Sequence, residues 1–192
     1  MPLVSRGLNP EPAYLLTHEL RWVEITSAGY TNYDRADLRA SLRERNISLT
    51  NTSSVFDEAC AQHLLAMILA LARELPRCLD NQRGAREWLH DETRRGRRFL
   101  LNGQVAILYG YGAIARRLVE LLRPLGLELV GVRRSPRGDE EIRMVTPNEA
   151  DAQLAQADHV IDILPANDAT AQFFDAARFA RFKPGARLPA HP

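Results

Sequence analysis

Cysteine, lysine and long apolar runs are all scarce in this chain of 192 residues. Its two cysteines, Cys60 and Cys78, would stand about five helical turns apart if the stretch between them is helical, too far to bridge. No disulfide framework is therefore expected, and a reducing compartment, the cytoplasm, is the default expectation. The longest apolar run, ACAQHLLAMILALA (59 to 72), falls short of the roughly 20 residues a bilayer needs, and no signal peptide opens the chain. No membrane partner is expected. Lys183 is the only lysine among 25 basic residues, and the net charge of +1 gives no general attraction to an acidic partner. No metal-binding residues are assigned.

With 45% hydrophobic and 26% charged residues, the composition is that of an ordinary soluble globular protein of one or two domains. Residues 20 to 34, LRWVEITSAGYTNYD, read as a short strand from Trp22 to Thr26 running into a small-residue turn, Ser27-Ala28-Gly29. A polar helix, Arg35 to Arg45, and a short strand, Ile47 to Thr50, follow. This βαβ rhythm favours a parallel sheet. Ser54 with Asp57 three residues on predicts a capping box before a long helix over 54 to 75. That helix is apolar nearly all round, which calls for burial by more than one neighbour, in a core or at an interface between domains or subunits. Gln62 and His63 on it then need polar partners.

Residues 80 to 99 carry Arg83, Arg86, Arg94, Arg95, Arg97 and Arg98, so a nucleic-acid surface is one reading of them. Asp91 and Glu92 interrupt the run and aromatics at stacking intervals are lacking. A solvated helix and linker is the preferred reading, with no nucleic-acid partner.

The chemistry-bearing segment begins at QVAILY (104 to 109), a compact apolar strand, followed at once by Gly110-Tyr111-Gly112-Ala113-Ile114-Ala115. The first glycine permits a sharp turn, and the second lets a pyrophosphate approach the backbone. Ala115 packs helix against strand. Backbone N–H groups at the start of the helix from Ala113 to Leu122 would face the phosphates. Gly126 stops that helix, and a second strand, 127 to 132, ends at Arg133, Arg134 and Ser135. An acidic residue at this point would bind the ribose hydroxyls of NAD, whereas guanidinium groups pair with a 2′-phosphate. NADPH is therefore the expected cofactor, in preference to NADH.

Downstream, a helix from Asn148 to Ala157 leads to the strand HVIDILP (159 to 165). His159 reads as structural. Asp162 within that strand must lie at an edge or be hydrogen-bonded. Asn167, Asp168 and Thr170 are expected to start a further helix, packed through Phe173, Phe174, Phe179 and Phe182.

Taken in order, LRWVEITSAGYTNYD, TNTSSVFDEACAQHLLAMILALAR, a tryptophan at 88, LLNGQVAILYGYGAIA, ADHVIDILP and RFKPGA resemble the D-isomer-specific 2-hydroxyacid dehydrogenases, including hydroxypyruvate and glyoxylate reductases. The resemblance implies an α/β protein: a Rossmann-like, doubly wound NAD(P)-binding domain over 98–192, preceded by part of a flavodoxin-like substrate domain over 1–97. It implies hydride transfer between NADPH and a small 2-keto or 2-hydroxy acid, and a homodimer. It also implies that Ala28 and Gly29 hold the substrate carboxylate through their backbone, and that Pro165 and Thr170 lie beside the nucleotide.

The sequence departs from the family pattern at Gln62, where many members have Glu, and at both ends. Only a remnant of the first substrate-domain elements precedes Leu20. The Arg-Gly motif, the acidic residue and the Pro-His motif expected after KPGA do not occur before Pro192, and His191 lies too early to be the general acid/base. No catalytic residue is assigned, and little activity is expected. A non-catalytic nucleotide-binding or dimerising protein is the alternative.

Overall fold

The computed structural model describes residues 3–5, 19–86 and 100–189. Trp88, the arginines from Arg94 to Arg98 and His191 lie outside these residues. The chain divides into two compact units: Met1–Phe56 with Pro165–Ala171, and Asp57–Leu164 with Gln172–Pro192.

The first unit contains a three-stranded parallel sheet, β1 (Leu3–Ser5), β2 (Trp22–Ile25) and β3 (Ser48–Asn51), in that order. Between β2 and β3 runs α1 (Ala36–Glu44), whose buried residues are Leu38 and Leu42, four positions apart on one helical face. They join Leu20, Ile25, Tyr33 and Ile47 in a single core.

The second unit is built on a four-stranded sheet of order β6-β5-β4-β7. Its strands are β4 (Val105–Tyr109), β5 (Glu128–Val132), β6 (Arg143–Val145) and β7 (His159–Asp162). All pair in parallel. Alternation along β4 feeds two cores. Ala106 and Leu108 pack with α2 (Asp57–Ala72) and α4 (Ala113–Leu122) on one face. Ile107 and Tyr109 pack with Ala150 and Leu154 on the other. Ala150 belongs to α5 (Pro147–Gln153), and Leu154 opens the 3-10 turn that extends it. A strand covered on both faces is apolar throughout, and QVAILY was legible for that reason.

Several expectations change. The predicted helix over 54 to 75 is two helices, α2 and then α3 (Leu75–Arg83), separated at Glu74, whose φ of 54° is left-handed. Pro76 explains the break, because it suits the first turn of a helix and not the interior. Ser54 does not cap α2: its φ is 74°, and the helix begins at Asp57. The true capping box is at α5, where Thr146 and Glu149 bond reciprocally. Within this chain α2 buries one side. Ala61, Leu64, Ile68 and Ala72 form one buried stripe, while Leu69 and Leu71 are exposed, as are Gln62 and His63. Through its packing on the β4 sheet, α2 belongs to the second compact unit, which begins at Asp57.

Residues 167 to 174 are turns, not helix. Asn167 Oδ1 accepts the Ala169 N–H at 3.0 Å, a local bond that competes with helix, and Gln172 has a left-handed φ of 52°. The helix α6 (Ala176–Phe179) starts only after Asp175, whose carboxylate accepts the Arg178 N–H. Strand β6, at three residues, was too short to read from pattern. Beyond β7, Arg187 to Pro189 run alongside it, with Val160 N–H donating to Arg187 at 2.9 Å and Asp162 N–H to Pro189 at 3.2 Å. Among the described residues, no helix is long and apolar enough to cross a membrane.

Candidate nucleotide site

The register Tyr109↔Val132 and Tyr109↔Asp162 brings the carboxyl ends of β5, β4 and β7 side by side. Gly110 therefore lies between Arg133 and Ile163 at the carboxyl end of the sheet. Its φ is 96°, and a Cβ there would stand 2.5 Å from the Ile163 carbonyl oxygen. Ile163 N–H donates to Tyr109 O at 2.9 Å, which holds the two strand ends at this spacing. Only glycine fits.

Gly112 differs in kind. Its backbone is extended, with φ −95° and ψ −159°, and a Cβ on it would meet nothing within 4 Å. The space above it is open, so a bulky anion can reach the backbone there. The N–H groups of Ala113 and Ile114 open α4, where the first turn has no intrahelical acceptors. Ala115 is fully buried against the sheet, as the third position of the turn requires. This cradle, closed at Gly110 and open at Gly112, fits the pyrophosphate of a dinucleotide. Tyr111 packs across β5: a Cβ at Gly131 would come within 3.0 Å of its ring. Burial raises its phenol above the ordinary range.

Arg133 leaves β5 with its N–H bonded to Val145 O at 3.1 Å, and its guanidinium donates to Glu140 Oε1, also at 3.1 Å. Arg134 and Ser135 are exposed. Sequence reading missed Glu140, because nothing in its spacing marks a loop carboxylate that folds back by seven residues. Its carboxyl is held below the usual carboxylate range, first by the Arg137 N–H, then by the Gly138 N–H, with Arg133 adding to them.

The other assigned residues fall in the first unit. Thr170 Oγ1 donates to Pro165 O and accepts the Asn167 N–H at 3.1 Å, closing one turn around Pro165 and Thr170. Ala28 and Gly29 sit in an exposed turn tied down by two bonds. Asn51 Nδ2 donates to Ala28 O and Ser27 Oγ to Gly29 O, each at 2.7 Å. Asn51 was not singled out from sequence; the β2–β3 pairing brings it there.

His159 is fully buried, with Nε2 at 2.7 Å from Gln104 Oε1 and Nδ1 without a partner among the described residues. Burial, with help from Arg187, lowers its pKa from the ordinary 6.5 to about 4. It is a neutral core residue, as its place in the strand led us to expect. Asp162 resolves as hydrogen-bonded, its Oδ1 accepting the Leu164 N–H at 3.1 Å. Lys183 pairs with Asp158, which also accepts the Val105 N–H.

Known proteins are similar to this chain in sequence and in fold. Glyoxylate/hydroxypyruvate reductase B of Shigella boydii is 29% identical over 171 residues, 88% of this chain and 51% of that protein. The crystal structure of a D-isomer specific 2-hydroxyacid dehydrogenase family protein from Aeromonas salmonicida superposes with a TM-score of 0.75 at 26% identity, covering 98% of this chain and 58% of that one. The TT0316 protein of Thermus thermophilus gives a TM-score of 0.75 at 26% identity, covering 89% of this chain and 52% of that one. The chain thus spans little more than half the length of these relatives. Residues 65–188 match the family model described as D-isomer specific 2-hydroxyacid dehydrogenase, NAD binding domain. With its glycine turn, parallel Rossmann-like sheet and this match in agreement, the chain belongs to the D-isomer specific 2-hydroxyacid dehydrogenase family.

Proposed function

We propose that this protein serves an NADPH-linked reduction of a small 2-keto acid to the 2-hydroxy acid. The observation that carries the cofactor reading is the adjacency of the Gly110–Ile114 turn and Arg133 on neighbouring strand ends. Gly112 leaves the backbone open to the pyrophosphate, the Ala113 and Ile114 N–H groups donate to it, and Arg133, Arg134 and Ser135 receive the 2′-phosphate. The roles we propose for Pro165 and Thr170, toward the nucleotide, and for the Ala28–Gly29 backbone, toward the substrate carboxylate, are those the family resemblance implies. When bound, the nicotinamide supplies the hydride. The substrate class follows the similar glyoxylate/hydroxypyruvate reductase B.

The oligomer we propose is a homodimer through α2 and α3, supported by the exposed Leu69, Leu71, Leu75 and Leu79 on those helices. The setting we propose is cytoplasmic, supported by the low cysteine content of two in 192 residues. Calorimetric titration of the chain with NADPH and with NADH tests the cofactor reading: tighter NADPH binding is expected, and equal affinities would overturn it. Size-exclusion chromatography with light scattering tests the dimer, and a monodisperse monomer would overturn that part.

A further inference from the structure

The loop after β5 contains an anion at a place where the proposed ligand is itself an anion. Glu140 is nearly enclosed, its side chain 5% exposed, whereas that of Arg133 is 26% exposed. Its carboxylate is gripped by the backbone. Arg137 N–H lies 2.9 Å from Oε1 and 3.2 Å from Oε2, and Gly138 N–H lies 2.8 Å from Oε2. Gly138, at φ 87°, supplies the left-handed backbone that this loop contains. The carboxylate is thus held by backbone donors as well as by Arg133, and among the described residues it is the one carboxylate that pairs with Arg133.

We propose that Glu140 is a positioning residue for cofactor selectivity: it holds one donor of the Arg133 guanidinium so that the rest of the fork is aimed at the 2′-phosphate of NADPH. The inference rests on the cofactor reading above. Two opposed effects are at stake. A carboxylate beside the guanidinium weakens its pull on a phosphate, whereas a carboxylate that fixes a long side chain removes the entropy cost of ordering it on binding. Positioning wins here for two reasons. The Glu140 charge is shared with two backbone donors, and guanidinium is a rigid planar group with five N–H donors, so docking one edge orients the others. Among the described residues, the exposed Arg134 has no such support.

The two effects predict opposite signs, which makes the test sharp. Glu140→Gln removes the negative charge and sets an NH2 among N–H donors. Dissociation constants for NADPH, NADH, adenosine 2′,5′-bisphosphate and 5′-AMP are measured by calorimetry on the full chain, wild type and variants. We expect Glu140→Gln to weaken NADPH and the bisphosphate about tenfold while NADH and 5′-AMP stay within about twofold. In an Arg133→Ala background the same change should leave the NADPH/NADH ratio unmoved. Glu140→Asp keeps the charge but shortens the reach, and should lower the ratio in the same direction, which covers the case of a Gln variant that fails to fold. Tighter NADPH binding in Glu140→Gln, or equal weakening of all four ligands, would overturn the role of Glu140 while leaving the cofactor reading intact. If Arg133→Ala itself leaves the ratio unchanged, both fall.

Discussion

Gly110 and Ile163 are so close across the ends of β4 and β7 that a Cβ on the glycine would stand 2.5 Å from the Ile163 carbonyl oxygen. Backbone cannot yield as a side chain can, and φ at Gly110 is 96°. Gly110→Ala should therefore destabilise the chain by about 2 to 4 kcal/mol, read by urea denaturation. Gly112→Ala meets open space on an extended backbone and should leave stability within about 0.5 kcal/mol while weakening NADPH at least about tenfold. Unchanged nucleotide affinity in Gly112→Ala would show that the pyrophosphate does not approach there.

Arg133→Asp puts at the end of β5 the kind of residue that accepts hydrogen bonds from ribose hydroxyls and repels a 2′-phosphate. The expected result is a reversal of the cofactor order, with NADH the tighter ligand. Calorimetry with both nucleotides reads it directly, and a variant that still prefers NADPH would place the selectivity elsewhere.

The residue before Gly110 anchors the opposite face of the sheet. Tyr109 is fully buried, and its hydroxyl donates to Asp151 at 3.0 Å. Asp151 also receives Arg178 Nε at 3.2 Å. Burial, then Asp151, pushes the Tyr109 phenol far above its ordinary range, so it stays a donor. Tyr109→Phe removes one bond and should cost about 1 kcal/mol. Asp151→Ala strands the hydroxyl and the guanidinium together and should cost about 2 to 3 kcal/mol. Thermal and urea melts of the two single variants and the double variant check this. Simple additivity would argue against one shared network.

His159 should make stability depend on acid. Its folded pKa of about 4 lies below the ordinary 6.5, so the unfolded chain takes up a proton first as pH falls. The contribution is complete above about pH 6.5 and is lost progressively as pH drops toward 4, up to about 3 kcal/mol in all. His159→Gln keeps a donor for Gln104 but cannot titrate. Urea unfolding at about pH 7 and about pH 4.5 should show a smaller acid loss in the variant than in wild type. Parallel losses would mean that the imidazole is not held neutral.

Much of this protein is written locally. A strand buried on both faces must be apolar throughout, so β4 was plain from sequence. A turn that needs one glycine for shape and another for access shows as Gly110-Tyr111-Gly112. Gly126, at φ 74°, ends the α4 segment where the sequence placed the stop. The register of parallel pairing then follows from those strands, and with it the meeting of Arg133 and the turn. Local signals also misled. Ser54 and Asp57 have the spacing of a capping box, but the chain turns left-handed at Ser54 and the helix starts later. The apolar character of α2 did not reveal which side it buries, because that depends on the face of the β4 sheet it lands on. Asn51 at the Ala28 carbonyl and Glu140 at Arg133 were likewise invisible. A polar side chain can find its partner across a β–β pairing or a folded-back loop only after the backbone has brought them together, and no periodicity records that contact in advance.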